Sequence, residues 1–344
     1  MKSTNQLLAH CEQILKLNLG EVYSHLQDPS IQEVMINHPS SIWVERAGQF
    51  EKLPISLSAE AMEAAITNIA NMNSKETSEV MDCRLPGLRI AATLAPISHL
   101  GPSMCIRRHS ARVFTLDDYI KVGAFSKYWP KGSSNAPLPR PSDEAVMEGN
   151  QGLADFLKWA VRSRFNIIVS GSTSAGKTTL LNAIAAEIPA GDRVGTIEDT
   201  AELKITVPNH FGFEANATYN VTLRTVVKHA LRYRPTRIIV GEVRDAAAFD
   251  MCHAYGTGHP GSMVSFHSET AEQSLSQLEN MIRMAPEAGN QPLEDVRKRI
   301  AATFRFAIHT SVVDGNRGPQ EVIEILGAEG GTYQTRTLFQ KFHQ

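Results

Sequence analysis

The 344-residue chain is poor in the features that tie a protein to structural zinc, to a membrane or to a polyanion. Its four cysteines, Cys11, Cys83, Cys105 and Cys252, are scattered and form no Cys-x-x-Cys pair. That spacing argues against a zinc module and suits buried thiols in a reducing compartment. No run approaches the roughly 18 apolar residues of a membrane span. Near the N-terminus, Asn5, Gln6, His10 and Glu12 interrupt what a secretory leader would keep apolar. The expectation is a cytoplasmic protein whose membrane contact is peripheral. Lys and Arg number 34 against 36 Asp and Glu, a formal net charge of -2. There is thus no global basic field, and direct DNA binding gains no support from composition. Hydrophobic residues at 42% exclude wholesale disorder.

What is present divides the chain in two. Residues 1–28 carry Leu7, Leu8, Cys11, Ile14 and Leu15 at helical spacing, with Pro29 just beyond. Strand patterns follow at Glu33–Asn37, Ile42–Glu45, Leu88–Leu94 and Met104–Arg107, with an apolar-rich helix at Glu60–Met72. This predicts a small α+β domain over 1–110. Residues 111–150 read as a linker, because Pro130, Pro137, Pro139 and Pro141 with Gly132 sustain neither helix nor central strand. Within it, Thr115–Asp118 resembles a capping box opening a short helix. From 151 to 344 helices alternate with apolar strands at Asn166–Ser170, Arg193–Ile197 and Arg237–Val240, the pattern of a mostly parallel α/β sheet. Ile308–Val313 and Glu321–Leu326 flank Asp314-Gly315 as a hairpin.

The strongest motif is Gly171-Ser172-Thr173-Ser174-Ala175-Gly176-Lys177-Thr178, a full GxxxxGK[ST] phosphate loop between an apolar strand and a helix. Its glycines let backbone N–H groups face phosphate oxygens, and the helix N-terminus, which continues into Thr179, adds favourable partial charge. Lys177 is expected to reach the β- and γ-phosphates of ATP, and Thr178 to help hold Mg²⁺. Arg237–Val240 followed by Gly241-Glu242 reads as a Walker B strand, whose acid reaches Mg²⁺ directly or through water. Thr196-Ile197-Glu198-Asp199 places acids at another strand end. There Glu198 either orients the attacking water or shares a region where Asp199 or Thr200 merely caps a turn. His253, His259 and His267 match no common zinc spacing.

In order, these motifs resemble the secretion ATPase superfamily of type II secretion, type IV pili and type IV secretion: Walker A, Asp box, Walker B, then a His box at Thr257–His267. Residues 33–45, Leu85–Arg89, Cys105–Arg107 and Val113–Tyr119 are similar to the hexameric traffic ATPase of conjugative and effector type IV secretion. Pilus assembly or retraction motors are the alternative within the superfamily. The resemblance implies a RecA-like phosphate-loop domain carrying a smaller N-terminal domain. It implies a homohexamer that works with inner-membrane components and other ATPases of the apparatus. By the same resemblance, Arg89 and Arg107 reach the nucleotide from the N-terminal domain. Glu198 and Glu242 take the catalytic-acid and Walker B roles, and His259 and His267 those of the His box. Asp245, Ala247 and Ser265 depart from the usual family residues.

Overall fold

Two sheets of different construction follow from two patterns of burial. The computed structural model describes residues 13–46, 48–108, 139–313 and 316–341. In the first sheet, strands β1 (Ile31–His38), β2 (Ser41–Arg46), β3 (Gln49–Leu53), β4 (Val80–Leu85), β5 (Leu88–Thr93) and β6 (Ser103–Arg108) lie in the order β3-β2-β1-β6-β5-β4. Every neighbouring pair is antiparallel. Alternate side chains take opposite faces. Val34, Ile36, Val44, Ile90 and Ile106 join a core with Met62, Ile66 and Ile69 of the helix Ala59–Met72. Met35, Trp43, Ala91 and Cys105 join a core with the second sheet instead. With both faces covered, the middle of β1, Val34-Met35-Ile36, is apolar on both sides.

The expected helix over 1–28 is broken. Residues 13–19 are helical, Gly20 turns left-handed at φ 51°, and a short helix restarts at Val22–Gln27. Residues 1–12 lie outside the described residues, as do Thr115–Asp118 and Val113–Tyr119. Part of the expected linker is helical, at Asp143–Met147, where Ser142 caps the first turn by accepting from the Ala145 N–H.

The second sheet comprises β7 (Ile167–Gly171), β8 (Arg193–Glu198), β9 (Asn209–Glu214), β10 (Arg237–Val240), β11 (Met263–Phe266), β12 (Phe306–Val313), β13 (Asn316–Glu329) and β14 (Thr332–Gln340). Their order is β14-β13-β12-β7-β11-β10-β8-β9. From β12 to β9 all pairs are parallel, and β13 and β14 extend the sheet antiparallel. Ile167, Ile168, Val169, Ile238, Ile239 and Val240 are fully buried, which a parallel sheet wrapped by helices requires. The hairpin at 306–329 matches expectation, with Asp314-Gly315 outside the described residues. Strands β3, β4, β9, β11 and β14 were not anticipated; β11 is the one that shapes the site.

The two sheets meet through a buried seam. Phe211, Phe213 and Tyr233 pack with Met35, Trp43 and Cys105. Arg193, with no exposed surface, donates from Nη1 to Asn37 Oδ1 at 2.6 Å and Asn209 Oδ1 at 2.5 Å. Arg234 donates to the buried carboxylates of Glu33 and Glu45 at 3.1 and 2.8 Å. Gly212 lacks a Cβ that would stand 2.1 Å from the His99 ring, so the close approach there needs glycine.

His229 lies in this seam, its Nε2 3.0 Å from Thr93 Oγ1. Burial pushes the imidazole down to about 4 from 6.5. The folded state therefore binds this proton more weakly than the unfolded chain. His229 costs nothing above pH 6.5, and an increasing penalty accrues as pH falls towards 4, reaching up to about 3 kcal/mol. Urea unfolding of the wild type is expected to weaken more steeply across that window than unfolding of His229→Gln. Parallel pH profiles for the two proteins would contradict this.

Candidate functional site

β7 delivers the chain into the phosphate loop at Gly171, where a Cβ would sit 2.2 Å from the Thr310 carbonyl oxygen of β12. Ser174 and Gly176 turn left-handed, at φ 60° and 86°. Thr310 Oγ1 donates to the Ala175 carbonyl at 2.9 Å and fixes the curl from the neighbouring strand. The next helix, Lys177–Ala185, has Gly176 as its N-cap, with no side-chain cap. Its first-turn N–H groups are thus left as donors for an anion. Ser172, Thr173 and Thr179 are exposed on the same rim.

Lys177 is 7% exposed. Its Nζ donates to the carbonyls of Gly171 and Ser172, both at 3.1 Å, and lies 3.3 Å from His267 Nδ1. Burial pulls the ammonium down, the Glu242 charge pushes back, and Arg244 adds to the lowering. His267 Nε2 stands 3.3 Å from Glu242 Oε1. The tautomer with its proton on Nε2 satisfies both contacts: it donates to Glu242 and accepts from Lys177. Strand order explains this bridge. β11 lies between β7 and β10, so the residue after its end falls between the loop and the Walker B acid. Burial raises the Glu242 carboxyl, but Arg244, bonded at 2.6 Å, with His267 and Lys177 holds it below its ordinary value.

Glu198, at the end of β8, is 3% exposed. Its Oε1 accepts the N–H groups of Glu202 and Leu203, each at 2.9 Å, and its Oε2 is buried without a partner among the described residues. Burial raises this carboxyl above its ordinary value, against the two backbone donors. Gly241 makes the space: a Cβ there would lie 2.8 Å from Glu198 Cγ. The same loop is held to the phosphate-loop helix by Lys204 N–H, which donates to Asn182 Oδ1 at 2.8 Å. Glu202 Oε2 accepts from Thr178 Oγ1 at 3.3 Å.

The other expected contributors lie elsewhere. Arg89 and Arg107 are cross-strand partners on β5 and β6. With His259, Arg164, Arg232 and Arg234 they line a cavity of about 530 Å³ between the two sheets. Arg164, Thr236 and His259 precede β7, β10 and β11, whereas Gly171, Glu242 and His267 end or follow them. The cavity is therefore on the opposite edge of the parallel sheet, and the five residues of β7 span roughly 16 Å between the edges. Within one chain, Arg89, Arg107 and His259 do not join the phosphate loop. His259 Nδ1 instead lies 2.9 Å from the Ala254 carbonyl, Arg89 pairs with Asp82 at 2.7 Å, and Arg107 is exposed without an ion pair among the described residues.

The family model for type II/IV secretion system proteins matches residues 143–312. The conjugal transfer protein TrbB of Rhizobium radiobacter is 33% identical over 346 residues, covering 97% of each chain. This chain belongs to the type II/IV secretion ATPase family. The type IV secretion system protein VirB11 of Brucella suis biovar 1 is 32% identical over 297 residues, 83% of this ATPase and 82% of that protein. The crystal structure of the Brucella suis VirB11 ATPase in complex with sulphate superposes with a TM-score of 0.81. The two share 29% identity, and the alignment covers 92% of this ATPase and 96% of that chain.

Sequence reasoning missed four residues that hold the candidate site together: Gly241, Arg244, Asn182 and Glu202. Arg244 and Gly241 flank Glu242, but motif reading stops at the acid. Glu202 had one signal, an acid four residues beyond Glu198, at the start of an alternation of Leu203, Ile205 and Val207 that reads as a strand and not as a site. Thr178 and Glu202, in contact, and Glu242, linked to Lys177 through His267, carry a hydroxyl and carboxylates, hard oxygen donors of the kind Mg²⁺ prefers. The Gly241→Ala variant is expected to push Glu198 out of place, costing about 1–3 kcal/mol in stability and at least about tenfold in ATP turnover. Wild-type values for both in denaturation and steady-state assays would show that the space is not needed.

Proposed function

We propose that this ATPase is the homohexameric motor of a type IV secretion apparatus. In this reading it works in the cytoplasm, peripheral to the inner membrane, with the membrane components and other ATPases of that machine. Its hydrolysis powers substrate transfer or pilus assembly. The conjugal transfer and type IV secretion relatives support this over a pilus retraction motor. Among the described residues no helix is long and apolar enough to cross a membrane.

One observation carries the chemistry: the chain of contacts Lys177–His267–Glu242. ATP phosphates would take the first-turn N–H groups and draw Lys177 from the Gly171 and Ser172 carbonyls onto their oxygens. His267 would lose or retain its Lys177 contact with the state of the γ-phosphate, and so report that state to Glu242. Mg²⁺, held with Thr178 and Glu242, would neutralise phosphate charge. Catalysis of this kind is chiefly positioning and charge stabilisation.

The second element of the proposal is the ring. Arg89 and Arg107 lie on the edge away from their own phosphate loop, with Arg107 free of carboxylate partners among the described residues. A head-to-tail ring brings that edge of one copy against the loop edge of the next. A guanidinium pair there would meet the neighbour's phosphates.

Lys177→Ala is expected to cut ATP hydrolysis by at least about 10²-fold. Wild-type turnover in that variant would end the assignment. The ring is tested by mixing Lys177→Ala chains with Arg107→Ala chains before assembly. If loop and arginine come from adjacent copies, about a quarter of the junctions in an equal mixture are intact, and activity reappears. Mixed rings no more active than either parent would place both residues in one chain's site.

A further inference from the structure

The β12–β13 hairpin stands on the side of β7 away from β11 and the Walker B strand. β12 pairs with the end of β7 at Thr310 and Gly171, then runs on beside the phosphate loop. Side chains two apart on a strand share a face, as do residues directly paired across an antiparallel ladder. Thr310, Val312 and the cross-strand partner of Val312, Arg317, therefore share one face. That face is turned to the phosphate loop, because Thr310 Oγ1 donates to the Ala175 carbonyl. Arg317 reaches the loop as well: a Cβ on Gly176 would stand 3.8 Å from Arg317 Cβ and 3.9 Å from its Cδ. The stem of an arginine is thus seated on the glycine immediately before Lys177. Its exposed guanidinium has no ion pair among the described residues, and Val312 beside it is 44% exposed. A seated stem, an unpaired planar head and bare apolar surface next to it suit a flat aromatic ligand.

We propose that Val312 and Arg317 hold the adenine of the bound nucleotide, the ring lying on Val312 with the Arg317 guanidinium stacked against it. The idea rests on the nucleotide site proposed above and extends it from the phosphates to the base. Lys177, His267 and Glu242 mark the γ-phosphate end, on the β11 side of β7. A nucleotide so placed crosses the first turn of the helix Lys177–Ala185 and carries its base to the β12 side. There the hairpin offers what the phosphate loop itself lacks, an apolar floor and a flat cation. Stacking of a guanidinium on an aromatic face commonly changes affinity by about 2- to 30-fold.

The test is calorimetric titration of the full-length protein with ADP and with pyrophosphate, which has the phosphates but no base. Arg317→Ala is expected to weaken ADP binding about tenfold and to leave pyrophosphate within about twofold of the wild type. Arg317→Lys keeps the charge but loses the flat face, and should share most of the ADP loss. Val312→Ser removes the apolar floor and should weaken ADP several-fold, again with pyrophosphate unaffected. Retained pyrophosphate binding shows at the same time that the phosphate loop is intact in each variant. An equal loss of ADP and pyrophosphate in Arg317→Ala makes Arg317 a phosphate contact and overturns the proposal. Wild-type ADP affinity in Arg317→Ala or in Val312→Ser overturns it as well. Failure of the wild type to bind either ligand would instead strike at the nucleotide site itself.

Discussion

A lysine ammonium nearly shut away from water is the constraint around which the site is built. Burial pulls the Lys177 ammonium down, and two carbonyls, an imidazole and the field of Glu242 work against it. Removing a charge from water is costly unless partners are supplied, and those partners must be ones a phosphate can replace. Backbone carbonyls meet that need, since they are rigidly placed and do not neutralise the lysine. A direct Lys177–Glu242 pair would hold the ammonium more firmly away from an incoming phosphate. His267 separates the two charges while keeping them in contact. It can do so only because β11 runs between β7 and β10.

The strand order has a second consequence. Every residue that follows a parallel strand gathers at one edge of the sheet, and every residue that precedes one gathers at the other. Gly171, Glu198, Glu242 and His267 fall on the first edge; Arg164, Thr236 and His259 fall on the second. The His box therefore has its two histidines at opposite ends of β11, in different chemistry. His267 touches Lys177 and Glu242, whereas His259 faces the arginine-lined cavity beneath the N-terminal sheet.

Most of the phosphate-loop machinery was legible in the sequence because it is local. Eight contiguous residues specify the loop, and the strand before it and helix after it follow from apolar periodicity. The antiparallel strands β1, β2, β5 and β6 were likewise legible from alternation and turn residues. What was illegible depends on which strand lies beside which. Nothing in Met263–Phe266 announces that it separates the two Walker strands, because four residues, three of them apolar, fit helix or strand equally. The role of Gly241 is invisible for the same reason: it makes room for a carboxylate 43 positions earlier, on an adjacent strand. Arg89 and Arg107 were read as nucleotide contacts from resemblance, and resemblance carries no information about which edge of which copy they face. The helix over 1–28 was over-extended because a single Gly20 in a periodic stretch looks tolerable until its φ is known.

The seam between the two sheets bears on how such a molecule can do work. Arg193 is buried with its guanidinium stacked 5.0 Å from the Phe211 ring and bonded across the seam to Asn37. Arg234 closes on Glu33 and Glu45, and Tyr233 Oη lies 2.8 Å from Thr93 Oγ1. Opening this seam would exchange these bonds for bonds to water and uncover the apolar contacts of Met35, Trp43, Phe211 and Phe213, a cost set chiefly by the apolar area exposed. The chain's own N-terminal sheet is thus fastened to its ATPase sheet by a shared apolar core as well as by these polar bonds. The phosphate loop lies on the far edge, away from that seam. The loop edge therefore stays open to what meets it from outside, while the opposite edge is committed to the chain's own N-terminal sheet.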